Sequence, residues 1–417
     1  MSANRTVLII YPHWPPSNLV GVHRVRLIAN HLHTQGWHPI VLTIDESGYE
    51  EPPVPELNQL VHDSVEVIKV EARPVLKVLG KRTIGDIGLR GFKALKKGAM
   101  DILTARRVDF IWFSMPSWYP SLMGPALSKK YGTPYGIDYQ DPWVYDLPDD
   151  TPRLSRARLT RFLAILLEPH VLRRTSLITA INGPYVSGIT ERHPELDFIP
   201  RSFFQLGFDE QDHQLEVEPP LLWKANDLAF LYAGAFLPLS APFHQSVLRA
   251  AKKLLDKGAI PNNIRFVYVG TGRPDLPLLA LAKQEGMEDH VTERPDRISF
   301  LEVQQLLRSS QANMVIGSPE PHYSASKVFQ CILSGRPTLA VLHGESEAAD
   351  ILARCGGGST IASFSKDLNQ LEQQVYVAIQ ACLSETIQHL DHAPLAPYHA
   401  REAARELAAA MDAIVKS

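Results

Sequence analysis

The chain has few cysteines, and those few form no pattern. Its 417 residues contain three, Cys331, Cys355 and Cys382, with no Cys-x-x-Cys pair and no cysteine–histidine cluster of metal-ligand spacing. An odd number of widely spaced cysteines argues against a disulfide framework and fits a reducing compartment. We therefore expect a cytoplasmic protein that binds no metal.

Long hydrophobic runs and an excess of one charge are also missing. The apolar run Phe162–Leu167 is far too short to span a bilayer, and the first residues lack an apolar core of signal-peptide length. The net charge is −3 and the pI is about 6.6, so nothing attracts the whole chain to nucleic acid. Any basic binding surface must therefore be local.

Short apolar runs alternate with helical patterns in two series, which predicts two α/β domains without an internal repeat. The expected organisation is an N-terminal domain at 1–206, an acidic, proline-containing linker at 207–227, a C-terminal domain at 228–395 and a C-terminal helix at 396–417. That helix could pack against either half. The clearest predicted strands are Thr6–Ile10, Pro39–Thr43, Val65–Val70, Phe110–Phe113, Pro134–Ile137, Leu177–Ala180, Leu228–Tyr232, Arg265–Val269, Ala312–Ile316 and Thr338–Leu342.

One stretch, 314–342, has the pattern of a strand, a helix start and a second strand. The apolar run Met314–Ile316 ends in a loop, and Ser324 and Ser326 then offer hydroxyls that suit a helix N-cap. Unpaired amides at such a helix start favour an anion, and Lys327 adds a full positive charge. A phosphate is the expected guest, although many α/β proteins contain such a unit without any ligand.

Four motifs in this order resemble the glycosyltransferases of family 4, nearest to the subgroup that makes surface polysaccharides. They are YPHWPPSNLVGVHRVRLIANHLHTQGWHPIVLT at 11–43, YAGAF at 232–236, FVYVGTG at 266–272 and SASKVFQCILSGRPTLAV at 324–341. The resemblance covers most of the chain. It implies the GT-B fold, with two facing Rossmann-like domains and a nucleotide-sugar donor held mainly by the C-terminal one. It also implies an acceptor held mainly by the N-terminal domain, and a retaining, metal-independent transfer without a cofactor.

The sequence departs from the family at its charged positions. The two glutamates that the family carries eight positions apart fall on His322 and Gln330, and its arginine and lysine after the first strand of the second domain fall on Ala235 and Ser240. By the resemblance, His322 is a catalytic candidate near the sugar. Gln330 is a candidate to grip the ribose hydroxyls, since an amide both donates and accepts. Alternatively, His322 is a solvated loop residue and Gln330 is a helix residue that faces a polar gap.

A diphosphate without its usual cations needs other partners, because an unpaired desolvated phosphate is costly. Lys327 is the first candidate and Arg273, in the loop after FVYVG, the second, although Arg273 also reads as a surface arginine. The resemblance places the turn Glu293–Pro295 at the base edge. The candidate donor contacts in the C-terminal half are Gly234, Arg273, Arg294, Ser324, Ser326, Lys327 and Gln330.

In the N-terminal half, Gly21 and Arg24 follow the opening strand and its loop and are further donor candidates. Asp138 and Asp141, in IDYQDPW, follow the predicted strand Tyr135–Ile137, which places both carboxylates in the crevice region. Asp141 is the candidate that takes the acceptor proton or orients the acceptor, with Asp138 as a second catalytic candidate. A turn at Gly21 and a loop capped by the two carboxylates are the simpler alternatives.

Two basic stretches suit an anionic lipid surface or a lipid-linked phosphate acceptor. Between Lys77 and Arg107 nine basic residues face two acidic ones, and between Arg153 and Arg174 six arginines face only Glu168. Alternatively, the two basic stretches are ordinary solvated helix faces. The expected partners are a nucleotide-sugar donor and a lipid-linked or small-molecule glycan acceptor, with an anionic membrane surface as a further candidate and no nucleic acid.

The predicted function is therefore a glycosyltransferase of surface polysaccharide or glycoconjugate synthesis, cytoplasmic or peripheral on the inner face of the membrane. A non-hydrolysing sugar-nucleotide epimerase shares the two-domain plan and would turn over the donor alone. The missing acids and cations also keep open a non-catalytic subunit that binds a nucleotide-sugar without turnover.

Overall fold

The structure is a computed structural model that describes residues 5–75, 77–78, 81–82, 85–319, 327–364, 367–384 and 390–416. The chain divides into two compact units. The first unit combines Met1–Gly207 with Tyr398–Ser417, and the second is Phe208–Pro397. The predicted linker segment from residue 208 onward lies in the second unit, where Arg308 and Gln305 donate hydrogen bonds to the carbonyls of His213 (2.6 Å) and Leu215 (2.8 Å).

The first unit is built on parallel strands. Its strands are β1 (Arg5–Ile10), β2 (Trp37–Ile44), β3 (Glu66–Val70), β4 (Lys77–Val78), β5 (Lys81–Arg82), β6 (Phe110–Met115), β7 (Tyr135–Tyr139), β8 (Leu177–Ala180) and β9 (Arg201–Phe203). Among the described residues, seven of them form one parallel sheet in the order β3-β2-β1-β6-β7-β8-β9, while β4 and β5 form a separate antiparallel pair.

Helices cover both faces of this sheet, which is why its central strands read as continuous apolar runs. The helices are α1 (Val20–Leu32), α2 (Ile87–Ala105), α3 (Gly124–Tyr131), α4 (Arg156–Leu172), α5 (Pro184–Arg192) and, from the C-terminal end of the chain, α12 (Ala400–Lys416). Along β1, Val7 and Ile9 belong to one buried cluster and Leu8 and Ile10 to another, as alternating side chains require.

The C-terminal helix belongs to the first unit, which confirms that it crosses back to the N-terminal domain. Its apolar side is buried in the same cluster as Val22 and Val25 of α1, and consists of Ala404, Leu407, Ala408 and Met411. At its polar side Asp412 pairs with Arg5 and accepts a hydrogen bond from Trp37 Nε1 at 3.1 Å.

The second unit repeats the plan. Its strands are β10 (Leu228–Ala233), β11 (Ile264–Val269), β12 (Val291–Arg294), β13 (Ala312–Ile316), β14 (Thr338–His343) and β15 (Ile361–Phe364). In the part of the unit that is described, all six are parallel, in the order β12-β11-β10-β13-β14-β15. Its helices are α6 (Ala241–Asp256), α7 (Pro277–Gln284), α8 (Phe300–Ser309), α9 (Lys327–Leu333), α10 (Glu347–Leu352) and α11 (Leu368–Ser384).

Each unit is thus a Rossmann-like α/β domain, and the predicted fold class is confirmed for both. Each of the ten predicted strands corresponds to a strand of the two parallel sheets, while β9, β12 and β15 were not predicted. Within the described ranges, no helix is both long and apolar enough to cross a membrane.

Candidate functional sites

Both sheets reverse their strand order once, between β1 and β6 in the first unit and between β10 and β13 in the second. At such a point the loops leaving the two neighbouring strands run in opposite directions and open a crevice at the carboxyl ends of the strands. Ligands of open α/β sheets bind in that crevice. Each unit therefore has one such crevice, and each is a candidate site.

In the first unit this crevice is a cleft of about 560 Å³. Tyr11 and His13 enter it from the loop after β1, and Ser117 enters from the loop after β6. Further lining comes from Gly21 in the first turn of α1 and from the carboxylates of Glu51 and Asp86. The cleft therefore combines polar groups with apolar lining from Leu19, Val20 and Ile87, and it lies close to the end of β1, as a binding site at a strand-order reversal should.

The carboxylate of Glu51 is held by two side chains from the loop after β1. His13 Nδ1 lies 3.3 Å from Glu51 Oε1, and the Ser17 hydroxyl donates to the same oxygen. Burial alone would raise the pKa of Glu51, but the hydrogen bonds from His13 and Ser17 outweigh it and lower the pKa to about 2. Glu51 is therefore a fixed negative charge on the cleft wall, and sequence reasoning did not single it out.

Glycine is required at position 21 because two neighbouring side chains lie very close to its Cα atom. A Cβ at this position would lie 2.5 Å from the Tyr11 hydroxyl and 3.1 Å from Gln140 Oε1. Gln140 Nε2 donates to the Gly21 carbonyl at 3.2 Å and to Ser114 Oγ at 2.9 Å, which ties the start of α1 to the strand ends. The structure thus places predicted Gly21 on the cleft.

Arg24 and Asp138 lie close together but away from solvent. Arg24 Nε and Nη2 donate to the two oxygens of Asp138 at 2.9 and 2.8 Å, and Arg24 Nη1 donates to the Phe204 carbonyl at 2.6 Å. Ser114 and Thr179 donate to the same carboxylate at 2.9 and 2.8 Å. Arg24 is 1% exposed and Asp138 is fully buried.

This arrangement corrects the expected position of Asp138. Strand β7 continues to Tyr139, so Asp138 lies within the strand instead of in the loop after it. Its side chain points into the interior, where Arg24 and two hydroxyls occupy it. The pair joins α1 to the sheet, a structural role that the geometry supports more directly than contact with a ligand.

Asp141 is placed differently, beyond the end of β7. Its side chain is exposed, yet desolvation by its surroundings raises its pKa above the usual value. Water still reaches the carboxylate, so we expect the shift to be modest. Its charge also acts on Tyr11, which lines the cleft, and on Tyr185 of α5. Of the two predicted carboxylates, only Asp141 can meet a ligand.

In the second unit, Lys327 reaches the end of β10. Its ammonium lies 4.9 Å from the ring centroid of Tyr232 and 3.5 Å from the Tyr232 hydroxyl. It also lies directly against Gly234, where a Cβ would overlap both Nζ and Cε of Lys327. Two predicted donor residues, Lys327 and Gly234, are therefore together at the strand-order reversal.

The two rings behind Lys327, those of Tyr232 and His244, carry no positive charge. His244 is fully buried with its ring centroid 5.1 Å from that of Tyr232, and burial, with Lys327 adding to it, lowers the pKa of His244 to about 3. Burial also raises the pKa of Tyr232 to about 12. Both rings are therefore neutral at physiological pH, and Lys327 carries the charge of this cluster.

The side-chain amide of Gln330 is bound by other residues of the second unit. Its Oε1 accepts from Gln304 Nε2 of α8 at 2.8 Å, and its side chain also acts on His213. The neighbouring Phe329 ring packs at 5.7 Å from Phe208. The amide thus serves contacts inside the unit, which supports the alternative of a helix residue in a polar gap.

The other predicted cations are distributed around the strand ends. Arg273 pairs with Asp275 at 2.9 Å, both being exposed, so its charge is already compensated. The carbonyl of Arg294 accepts from Gly270 N at 2.9 Å and that of Pro295 from Gly272 N at 3.0 Å. These two hydrogen bonds continue the β11–β12 pairing into the loops that follow the strands. They use the carbonyls of Arg294 and Pro295, which belong to the turn expected at the base edge. Predicted His322, Ser324 and Ser326 lie outside the described residues.

Sequence reasoning placed Glu293 in the turn at the base edge but did not reveal what its carboxylate binds. It accepts from Thr271 Oγ1 at 3.0 Å and from the amides of Leu278 and Leu279 at 3.0 and 2.9 Å. It therefore satisfies the free amides at the start of α7. A residue at a strand end that caps a helix 15 positions earlier leaves no local signal in the sequence.

The basic stretch from Lys77 to Arg107 contributes several charges to structure. Arg90 is buried and donates to the carbonyls of Arg73 (2.8 Å) and Gly48 (2.7 Å). Arg106 pairs with Glu66 and Arg107 with Asp109, each at 2.7 Å. The apolar residues of α2 that are buried in the core are Ile87, Leu95, Ala99 and Ile102.

No protein-family model and no curated protein matches the chain. Solved structures do match it over 99% of its length. Sucrose-phosphate synthase from Thermosynechococcus elongatus has a TM-score of 0.53 at 15% identity over 96% of its chain. Anabaena Alr3699/HepE in complex with UDP has a TM-score of 0.51 at 15% identity, with 97% of its chain covered. A UDP-N-acetylglucosamine 2-epimerase from Listeria monocytogenes has a TM-score of 0.52 at 11% identity, with 96% of its chain covered. At these identities the likeness concerns the fold, which is the GT-B fold of two Rossmann-like domains.

Proposed function

We propose that this protein is a glycosyltransferase that moves a sugar from a nucleotide-sugar donor to an acceptor hydroxyl. The observation that carries the proposal is the position of Lys327, whose ammonium lies at the end of β10 against Gly234 in a sheet of Rossmann type. A cation at a strand-order reversal meets the phosphates of a nucleotide bound there. The solved relatives include a sucrose-phosphate synthase and a complex with UDP, so UDP is the first donor nucleotide to test.

On the donor side, Lys327 neutralises part of the diphosphate charge. It is the first residue of α9, so its charge reaches the end of β10 from a different element of the same unit. Arg273 is bound to Asp275, so among the described residues we expect Lys327 to contribute more than Arg273 to binding of the diphosphate. We therefore expect donor affinity to be sensitive to Lys327, and we propose that transfer is retaining and independent of metal.

On the acceptor side, the cleft of the first unit binds the acceptor and Asp141 accepts or orients its hydroxyl proton. The raised pKa of Asp141 moves its carboxylate closer to the proton affinity that a general base needs near neutral pH. Gly21 and Tyr11 shape the cleft beside it, and Glu51 adds a fixed charge. We propose a glycan acceptor in surface polysaccharide or glycoconjugate synthesis.

The decisive experiment separates three activities with the same protein. Nucleotide-diphosphate sugars are screened by thermal shift, since a ligand at 100 times its dissociation constant adds about 2.7 kcal/mol of stability. Nucleotide release is then followed with and without candidate acceptors. Acceptor-dependent release supports the transferase. Conversion of the donor alone would instead identify an epimerase, an activity that the Listeria structure makes worth testing.

Three variants link the result to the site. Lys327→Met removes the charge at nearly constant volume, whereas Lys327→Arg keeps it. Gly234→Ala tests the same place from the other side, because its methyl group would overlap the Lys327 side chain. Binding without any turnover in the parent protein would support a non-catalytic subunit, and unchanged affinity in Lys327→Met would remove the donor site from this crevice.

A further inference from the structure

Helix α4 carries large apolar side chains that no part of the described structure covers. Leu159, Phe162 and Leu166 recur at helical spacing on one face and are 59%, 62% and 62% exposed. Ile165 at 39% widens this face, and Leu154 just before the helix is fully exposed. We call these five residues the α4 face. Single exposed apolar residues are ordinary, but a contiguous set marks a surface that meets a partner.

The charges around the α4 face are mainly positive. Six arginines lie between residues 153 and 174, and two of them, Arg158 and Arg161, also donate to the carbonyls of Thr151 (2.8 Å) and Tyr145 (2.9 Å). Glu168, the acid of this segment, is buried and bound by Arg192 at 2.7 Å. The preceding loop adds Asp146, Asp149 and Asp150, which reduces the local excess from six to three. An apolar strip with a moderate positive surround is complementary to an anionic bilayer surface.

Helix α2, the other basic segment, lacks such a strip. Ile87, Leu95, Ala99 and Ile102 are buried in the core, and Leu89, at 40% exposure, is a single exposed apolar side chain without neighbours of its kind at helical spacing. Three of the arginines in and around the helix are bound within the first unit, namely Arg90, Arg106 and Arg107. What remains exposed on the helix is mostly charge, including Lys93 and Lys97. Electrostatic attraction alone is weaker and more sensitive to salt than attraction combined with apolar insertion.

We infer that the α4 face docks the protein on an anionic phospholipid bilayer, with Phe162 and Leu166 inserted at the headgroup boundary. The helix lies flat on the surface and does not cross it, since only one side of it is exposed and apolar. Arg156, in the first turn of α4, also lines the cleft of the first unit. The docking face and the cleft are therefore continuous, which presents the cleft to acceptors carried on a lipid.

The last step rests on the proposed function, because only a transferase needs a lipid-linked acceptor. The docking on a bilayer does not rest on the proposed function, since it is measured with the protein and vesicles in the absence of a donor. A failure of docking would leave the transferase proposal standing with a small-molecule glycan acceptor. A failure of transfer would leave the docking result standing.

The test compares flotation of the full chain with phosphatidylglycerol and with phosphatidylcholine vesicles, at low and high salt. The parent is expected to float with the anionic vesicles and less with the neutral ones. Phe162→Ser/Leu166→Ser is expected to lower the bound-to-free ratio about 10-fold or more, because two inserted side chains are lost. Leu221→Ser/Leu239→Ser is the matched control, since it removes two similarly exposed apolar side chains from the second unit.

Each outcome decides the inference. Loss of flotation in the α4 variant, with the control variant unchanged, supports it. Absence of flotation in the parent, or equal recovery of the α4 variant, overturns it. A charge reversal on α2, Lys93→Glu/Lys97→Glu, that abolishes flotation while the α4 variant still binds would move the docking surface to α2. If light scattering shows a parent dimer that Phe162→Ser/Leu166→Ser converts to a monomer without vesicle binding, the α4 face binds a second copy of the chain instead.

Discussion

The buried pair of Arg24 and Asp138 offers a test that needs no knowledge of the substrate. In Asp138→Asn the carboxylate that accepts two hydrogen bonds from Arg24 becomes an amide, whose NH₂ group cannot accept. Arg24 stays buried at 1% exposure with its charge uncompensated. Breaking a buried pair by removing one partner costs about 3–5 kcal/mol. Ser114 and Thr179 donate to different oxygens of Asp138, so the amide NH₂ group also displaces one of these two hydrogen bonds.

The measurement is thermal and urea unfolding at neutral pH. For a domain of this size each kcal/mol moves the midpoint by about 2–4 °C, so Asp138→Asn should lower the transition of the first unit by roughly 6–20 °C. The matched control is Asp141→Asn, the same change three residues along on an exposed side chain. Desolvation disfavours ionised Asp141, so removing its charge should leave stability equal or slightly higher.

A second arm separates charge from packing. Arg24→Met/Asp138→Leu removes both charges together and should recover part of the stability lost in Asp138→Asn, since apolar replacement of a buried pair is often neutral. If Asp138→Asn unfolds at the parent midpoint, the pair does not hold α1 on the sheet, and the structural role assigned to Asp138 is wrong. The carboxylate would then return as a candidate for chemistry.

The remaining predictions concern the two crevices. Lys327→Met should weaken binding of UDP or another nucleotide diphosphate by about 1–3 kcal/mol, measured by calorimetry, while Gln330→Ala, whose amide oxygen already binds Gln304, should cost less. Asp141→Asn should keep donor affinity but reduce transfer roughly 10²-fold, and the acid limb of the pH–rate profile, raised above the usual aspartate range in the parent, should disappear. Glu51 has a pKa lowered from 4.5 to about 2, so it stabilises the fold above pH 4.5 and loses this contribution as the pH falls toward 2. Glu51→Gln should therefore flatten that part of the pH–stability curve in urea titrations, and an unchanged curve would contradict the assignment.

The sheets were predictable from the sequence because their central strands are buried on both faces. Val7–Ile10 is apolar without interruption, so length and turn residues were enough to recognise it as a parallel strand. The C-terminal helix was predictable from the spacing of its apolar residues. In contrast, β12 and β15 have only four residues each, with polar or small side chains mixed in, and such sequences also suit loops.

The candidate sites were predictable only where a local rule applied. Lys327 was found because a helix start after a buried strand attracts anions, and Gly21 because glycine in the turn before a helix permits close approach. The pairing of Arg24 with Asp138 joins positions 114 residues apart, and no pattern along the chain shows which distant groups meet in the interior. Asp138 was expected in a loop because the two residues that follow it, Tyr139 and Gln140, do not reveal where the strand ends.

The contact between Gly234 and Lys327 offers a physical reason for the missing family cations. In the resembling family the positive charge comes from the loop after the first strand of the second domain, where this chain has Ala235 and Ser240. Here the lysine reaches that loop from α9, and it lies where a side chain at 234 would have to be. With Lys327 in this position, residue 234 must therefore be glycine. We propose that Lys327 takes the place of the two cations at a diphosphate, since it reaches the same loop from another element of the same unit.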